Sequence, residues 1–136
     1  ASFKNQYKAT GTLEGDKDLS FSKILSGRDW KEGDSFEFTI SGKDGAPMPT
    51  EEKVTLSYDK DHSQKNGENV GGAFGDISYD QGDIGKTYVY TISETKGTIA
   101  GVTYSKEEYK VEVSVSDAGN GQLQIDKKVT KDGEDV

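Results

Sequence analysis

The chain has 136 residues, enough for one domain with one real core, and carries 25 acidic against 17 basic residues for a formal charge of −8. That balance provides no basic stripe for nucleic-acid phosphates and no attraction to an anionic membrane. With no cysteine, disulfides, thiolate metal sites and cysteine nucleophiles are all excluded.

Only 30% of residues are hydrophobic, the mean hydropathy is −0.83 and there are 17 glycines. A thin core with many turns suits two packed sheets, each with one wet face, better than buried helices. No stretch approaches a membrane span and no secretion or wall-sorting signal is visible. A start at Ala1 without an initiator Met reads as a piece of something longer.

In chain order, Ser2–Tyr7 alternates apolar and polar residues as a half-buried strand should. Lys8–Leu19, polar and glycine-containing, reads as a linker. Strands follow at Ser20–Leu25 and Ser35–Ser41, separated by the turn Ser26–Asp34. Gly42–Thr50, with both prolines, is a loop, and Lys53–Tyr58 is a strand. Asp59–Gly72 reads as a long polar loop before a short strand at Ala73–Tyr79. Lys86–Glu94, rich in aromatic and β-branched residues, is the strongest strand signal. Val102–Lys106 is a short strand or turn. Tyr109–Ser116 turns through Ala118–Gly121 into Gln122–Lys128. Eight or nine short strands with regular turns make an all-β sandwich.

Side chains two apart on a strand share a face. Lys53 and Lys110 lie opposite the apolar residues of their strands and so face water. Lys23 shares its face with Phe21 and Leu25, which places its amine in the core. Asn5 lies between Phe3 and Tyr7 in the same way, while Asn66, Asn69 and Asn120 fall in loops. Glu94 closes a stripe begun by Tyr88, Tyr90 and Ile92. One amine, one amide and one acid are thus directed inward, where burial disfavours the charged forms of amine and acid alike. A neutral amine is a nucleophile toward an amide carbonyl, and a protonated carboxyl can polarise that carbonyl and shuttle protons. The bland alternative places these residues at strand ends, with Lys23 snorkelling to water.

Other signals are weaker. Asp59-Lys60-Asp61-His62-Ser63 starts like a calcium loop, but Gln64 and Val70 occupy the positions that need glycine and glutamate. His62, the lone histidine, lies in that polar loop and supports neither a triad nor a zinc site. Trp30 reads as a cap on the core at a turn. No metal or cofactor is expected.

The stretches FSKILSGRDWKEGDSFEFTI and FGDISYDQGDIGKTYVYTISETKGTIAGVTYSKEEYKVEVSVSD resemble the streptococcal pilin isopeptide-linkage domain. That family is related to the major-pilin and collagen-adhesin B-type repeats of Gram-positive surface proteins. The resemblance implies an immunoglobulin-like (CnaB-type) β-sandwich of two mainly antiparallel sheets, in an extracellular, wall-anchored parent. It also implies a self-forming Lys–Asn isopeptide bond assisted by an acid, with no turnover enzymology. Lys23 and Glu94 fall on the family's first-strand lysine and central-strand acid. The family's asparagine belongs to a Phe-x-Asn-x-Tyr motif on the last strand. Here that motif stands at the beginning, as Phe3-Lys4-Asn5-Gln6-Tyr7.

The division that follows is residues 1–8 as a last-strand segment from a preceding repeat or a permuted order, 9–19 as linker, and 20–136 as the sandwich. Asn5 then reaches Lys23 either within the chain, across the linker, or in a neighbouring copy by head-to-tail strand donation. The partners are accordingly neighbouring repeats or further copies of the chain. A rival reading is an adhesin whose Asp59–Gly72 or Gly42–Thr50 loops grip a host protein or glycan. A hydrolase would need a carboxylate pair or triad in a cleft.

Overall fold

The computed structural model describes residues 1–136, and strands dominate it. They are β1 (Thr10–Leu13), β2 (Ser20–Ile24), β3 (Ser35–Gly42), β4 (Lys53–Ser57), β5 (Asn69–Ala73) and β6 (Ile77–Asp80), then β7 (Thr87–Glu94), β8 (Glu108–Asp117), β9 (Leu123–Lys131) and β10 (Glu134–Asp135). One face of the sandwich is a six-stranded antiparallel sheet in the order β10-β9-β8-β7-β3-β4. The all-β sandwich of mainly antiparallel sheets is the architecture found. No helix is long and apolar enough to cross a membrane.

The opposite face is two antiparallel pairs laid end to end. β1 pairs with β6 from Thr10↔Asp80 to Leu13↔Ile77, and β2 pairs with β5 from Ser20↔Ala73 to Ile24↔Asn69. Between them sits α1, a single turn at Gly15–Asp18. Gly15 is required there because its Cα lies against the connection between β5 and β6: a Cβ would stand 1.9 Å from the Phe74 carbonyl oxygen. Its N–H donates to Asp76 Oδ1 at 2.8 Å.

Alternation puts Phe36, Phe38 and Ile40 of β3, Tyr90 and Ile92 of β7, and Val111, Val113 and Val115 of β8 on the inner face. Leu13, Leu19, Phe74, Ile77 and Tyr79 meet them from the other layer. Each fully buried side chain of this size is worth about 1.5–3 kcal/mol.

Five segments differ from their sequence reading, the first being Ala73–Tyr79, which holds the end of β5 and most of β6 with Phe74–Asp76 in neither strand. Ser2–Tyr7 forms no strand, and Phe3 is 93% exposed, because no neighbouring strand of this chain covers its apolar face. Lys8–Leu19, read as linker, holds β1 and α1 and buries Ala9, Leu13 and Leu19, so those residues belong to the sandwich. The Asp59–Gly72 loop already contains most of β5, whose glycines make room: a Cβ on Gly72 would meet Phe21 Cζ at 2.7 Å. Val102–Lys106 stays irregular.

The sandwich has two distinct ends. β7 runs from Thr87, level with Ser114 and near the β8–β9 turn, to Glu94, just beyond the Ser93↔Glu108 pair. Those seven residue steps span about 23 Å.

Candidate functional site

β2 presents Phe21 and Lys23 inward and Ser20, Ser22 and Ile24 outward. The Lys23 side chain is 9% exposed and that of Glu94 only 2%. Their approach is Nζ to Oε2 at 2.8 Å. The Phe36 ring lies beneath the amine, 4.4 Å from nitrogen to centroid, and is held edge-on by Trp30. Trp30 is thus a core residue at the turn.

Glu94 is fixed by its other oxygen, since Oε1 accepts the Ser105 N–H at 2.9 Å. Oε2 accepts no hydrogen bond of good geometry, so Lys23 is its one close polar neighbour. A buried pair of this kind contributes little net stability, because desolvation of both groups offsets their attraction. In such a pair a proton passing from amine to carboxylate would leave a nucleophile and an acid side by side.

Asn5 does not line this site. It is exposed, in a shallow cleft with Gln6–Thr10 and the β6 end Asp80–Gly82. Tyr7 anchors the same segment: its hydroxyl donates to Asp117 Oδ1 at 2.9 Å and accepts the Gly121 N–H at 3.0 Å. Those residues flank the β8–β9 turn. Lys23 and Glu94 are together at one end, and Asn5 is at the other.

A groove runs along β2 past the Lys23–Glu94 pair. β2 is hydrogen-bonded to β5 only, so its second edge is free. The stretch of groove at the pair is lined by Phe21, Phe38, Ile92, Ser105, Glu107 and Tyr109. Toward the β8–β9 end it continues over Phe21, Ile92 and Tyr109 to Val111, Val129 and Val136. Beyond Lys23 it opens past Leu25 and Arg28 to Val102 and Thr103. Apart from Tyr58, the large apolar side chains left exposed are Phe3 and Tyr7 on the terminal segment, and Ile24 and Val136 on this groove.

The turn beyond the open end is pinned by Arg28, whose guanidinium grips Asp34 at 2.6 and 3.1 Å while the Lys31 N–H donates to Asp34 Oδ2. The Arg28 hydrogen bonds hold the Asp34 carboxyl below its ordinary value of 3.8, against the opposing effect of burial. A depressed carboxyl stabilises the fold above the unfolded value and loses that contribution as pH falls through the folded one. The urea midpoint of the unaltered chain is expected to exceed that of Asp34→Asn at about pH 6, the gap closing below about pH 4.

Several site residues carried no signal of function in the sequence. Phe36 is inward by its spacing from Phe38 and Ile40, but nothing distinguishes it as the ring under an amine. Ser105 contributes a backbone N–H, which residue identity does not reveal.

The family model described as FctA: Spy0128-like isopeptide containing domain matches residues 19–136. No individual curated protein matches the chain.

Proposed function

We propose, on the premise that the chain belongs to the Spy0128-like isopeptide containing domain family, that it is a stalk module of a cell-surface pilus in which Lys23 of one copy bonds to Asn5 of the next. The family is a structural pilin family and not a family of turnover enzymes. The observation that carries the reading is the buried Lys23–Glu94 pair at 2.8 Å on a groove with a free strand edge.

The donated segment adds to β2 as a parallel strand. That direction leads residues 8 onward out of the open end of the groove, past Leu25 and Arg28. The other end is bordered by Lys127, whose amine bridges to Asp18 at 3.5 Å. Asn5 then comes level with Lys23. Strand addition supplies main-chain hydrogen bonds, and alternate side chains supply the selection.

The reaction balances without an outside reagent. Lys23 gives a proton to Glu94 and its free amine attacks the Asn5 side-chain carbon, forming the new C–N bond. The acid hydrogen-bonds the carbonyl oxygen as negative charge develops there. Glu94 then relays a proton from the attacking nitrogen to the leaving nitrogen, the old C–N bond breaks and ammonia departs. Phe21, Phe36 and Phe38 surround the site, and a strand seated on the groove excludes water from it. Fixing both reactants in register provides the effective concentration that the uncatalysed reaction lacks.

The test is a denaturing gel with intact-mass measurement on the purified chain. A ladder of covalent copies is expected, each link lighter by one ammonia. A monomer of unchanged mass, with the same gel pattern as Lys23→Ala, refutes the reading, and a monomer that has lost ammonia places the bond within one chain.

A further inference from the structure

We infer that the apolar stretch of the groove formed by Phe21, Ile92, Tyr109, Val111, Val129 and Val136 is a seat for Phe3 of a second copy, and that this seat selects the incoming strand and sets its register. The inference rests on the strand-donation reading but concerns a residue that takes no part in the bond.

Three observations carry it. First, Phe3 is 93% exposed and has no seat in its own chain. Second, the spacing matches: Phe3 precedes Asn5 by two residues, as Phe21 precedes Lys23. A strand laid parallel to β2 with Asn5 beside Lys23 therefore places Phe3 beside Phe21, over the apolar stretch and facing inward like Asn5. Third, that stretch leaves Phe21, Tyr109 and Val129 only partly covered beside an exposed Val136, and it is continuous with the site through Phe21, Ser22, Ile92 and Tyr109.

Register is what such a seat controls. A slip of one residue turns Asn5 outward and brings either Lys4, which has no amide, or Gln6, whose amide sits one methylene farther from the backbone, level with Lys23. A slip of two residues keeps an inward-facing pattern but moves Asn5 away from Lys23. Only the polar contacts of Asn5 and the fit of an aromatic ring separate that arrangement from the productive one. An aromatic anchor in a water-excluding seat discriminates more strongly than one amide, because much of the binding free energy of an interface concentrates in such residues. Phe3 is thus a specificity-determining residue, and Asn5 the reacting one.

Docking and bonding separate experimentally. The receptor is the full chain carrying Phe3→Ala, so that its own segment does not compete, with Lys23 and Glu94 intact. The probes are fluorescent peptides of residues 1–10 carrying Asn5→Ala, which cannot bond, with and without Phe3→Ala. Anisotropy titration is expected to show the Asn5→Ala peptide binding roughly tenfold or more tightly than the double variant. Val136→Asp in the receptor, an exposed position, is expected to weaken the first peptide and leave the second unchanged. Equal affinity of the two peptides, no binding of either, or indifference to Val136→Asp overturns the inference. A peptide with Asn5 restored reports the bond itself. If docking depends on Phe3 but no covalent product appears, the seat stands and the linking reading fails.

Discussion

Mixed together, Lys23→Ala and Asn5→Ala chains are expected to give one covalent product of two copies, while neither variant alone gives any. The first keeps a donor segment and lacks the amine; the second keeps the amine and lacks the amide. If Asn5 of one chain meets Lys23 of another, the mixture holds one competent pair per dimer and growth stops there. If the bond closes within a chain, the mixture yields no product. This outcome follows from where the structure puts the groups. Asn5 lies beside Asp80–Gly82, and its segment is tied by Tyr7 to the β8–β9 turn. Lys23 sits with Glu94 at the other end of β7, a strand about 23 Å long. Reaching Lys23 within one chain requires releasing Tyr7 and stripping β1 from β6, which forfeits the burial of Ala9 and Leu13. A denaturing gel of the two variants and their mixture reads the result directly.

The second large effect is on stability. Glu94→Ala leaves the Lys23 amine buried over Phe36 without its counter-charge, and an uncompensated buried charge costs about 3–5 kcal/mol. The variant is expected to unfold at markedly lower urea concentration and to give no covalent product. Lys23→Met/Glu94→Leu removes both charges and refills the space with apolar atoms. Its urea midpoint is expected to return to that of the parent or exceed it. Two apolar side chains equalling the pair they replace would show that the pair contributes little net stability. A double variant as unstable as Glu94→Ala contradicts that account.

Much of this was legible in a sequence of 136 residues, and for a definite reason. A period of two marks both faces of a strand, so Lys23 between Phe21 and Leu25, and Glu94 after Tyr88, Tyr90 and Ile92, point inward without further information. Their meeting at 2.8 Å is the junction of those two stripes. The same rule gave a different outcome at the N-terminus. Phe3, Asn5 and Tyr7 share a face, but a face is buried only where another surface covers it, and none in this chain does.

β1 was hidden because Thr10-Gly11-Thr12-Leu13 offers one large apolar residue, and its Gly11 lies against Ile125 and Leu123 of a distant strand. β5 was hidden by glycines that usually mark turns. Here they leave space for Phe21 and Leu56 to cross the strand. In each case the missing information was long-range.

The single turn of α1 between β1 and β2 has a mechanical consequence. If Asn5 and Lys23 are both bonded to neighbours, as proposed, tension along a row of copies enters each module at residue 5 and leaves at residue 23. The six-stranded sheet stands outside that path. Within it, β1 and β2 are already extended, and α1 is the one segment still coiled. Drawing its four residues from helical to extended rise lengthens a module by about 7 Å. That extension works against the pairing of β1 with β6 and of β2 with β5 and against the burial of Leu13 and Leu19.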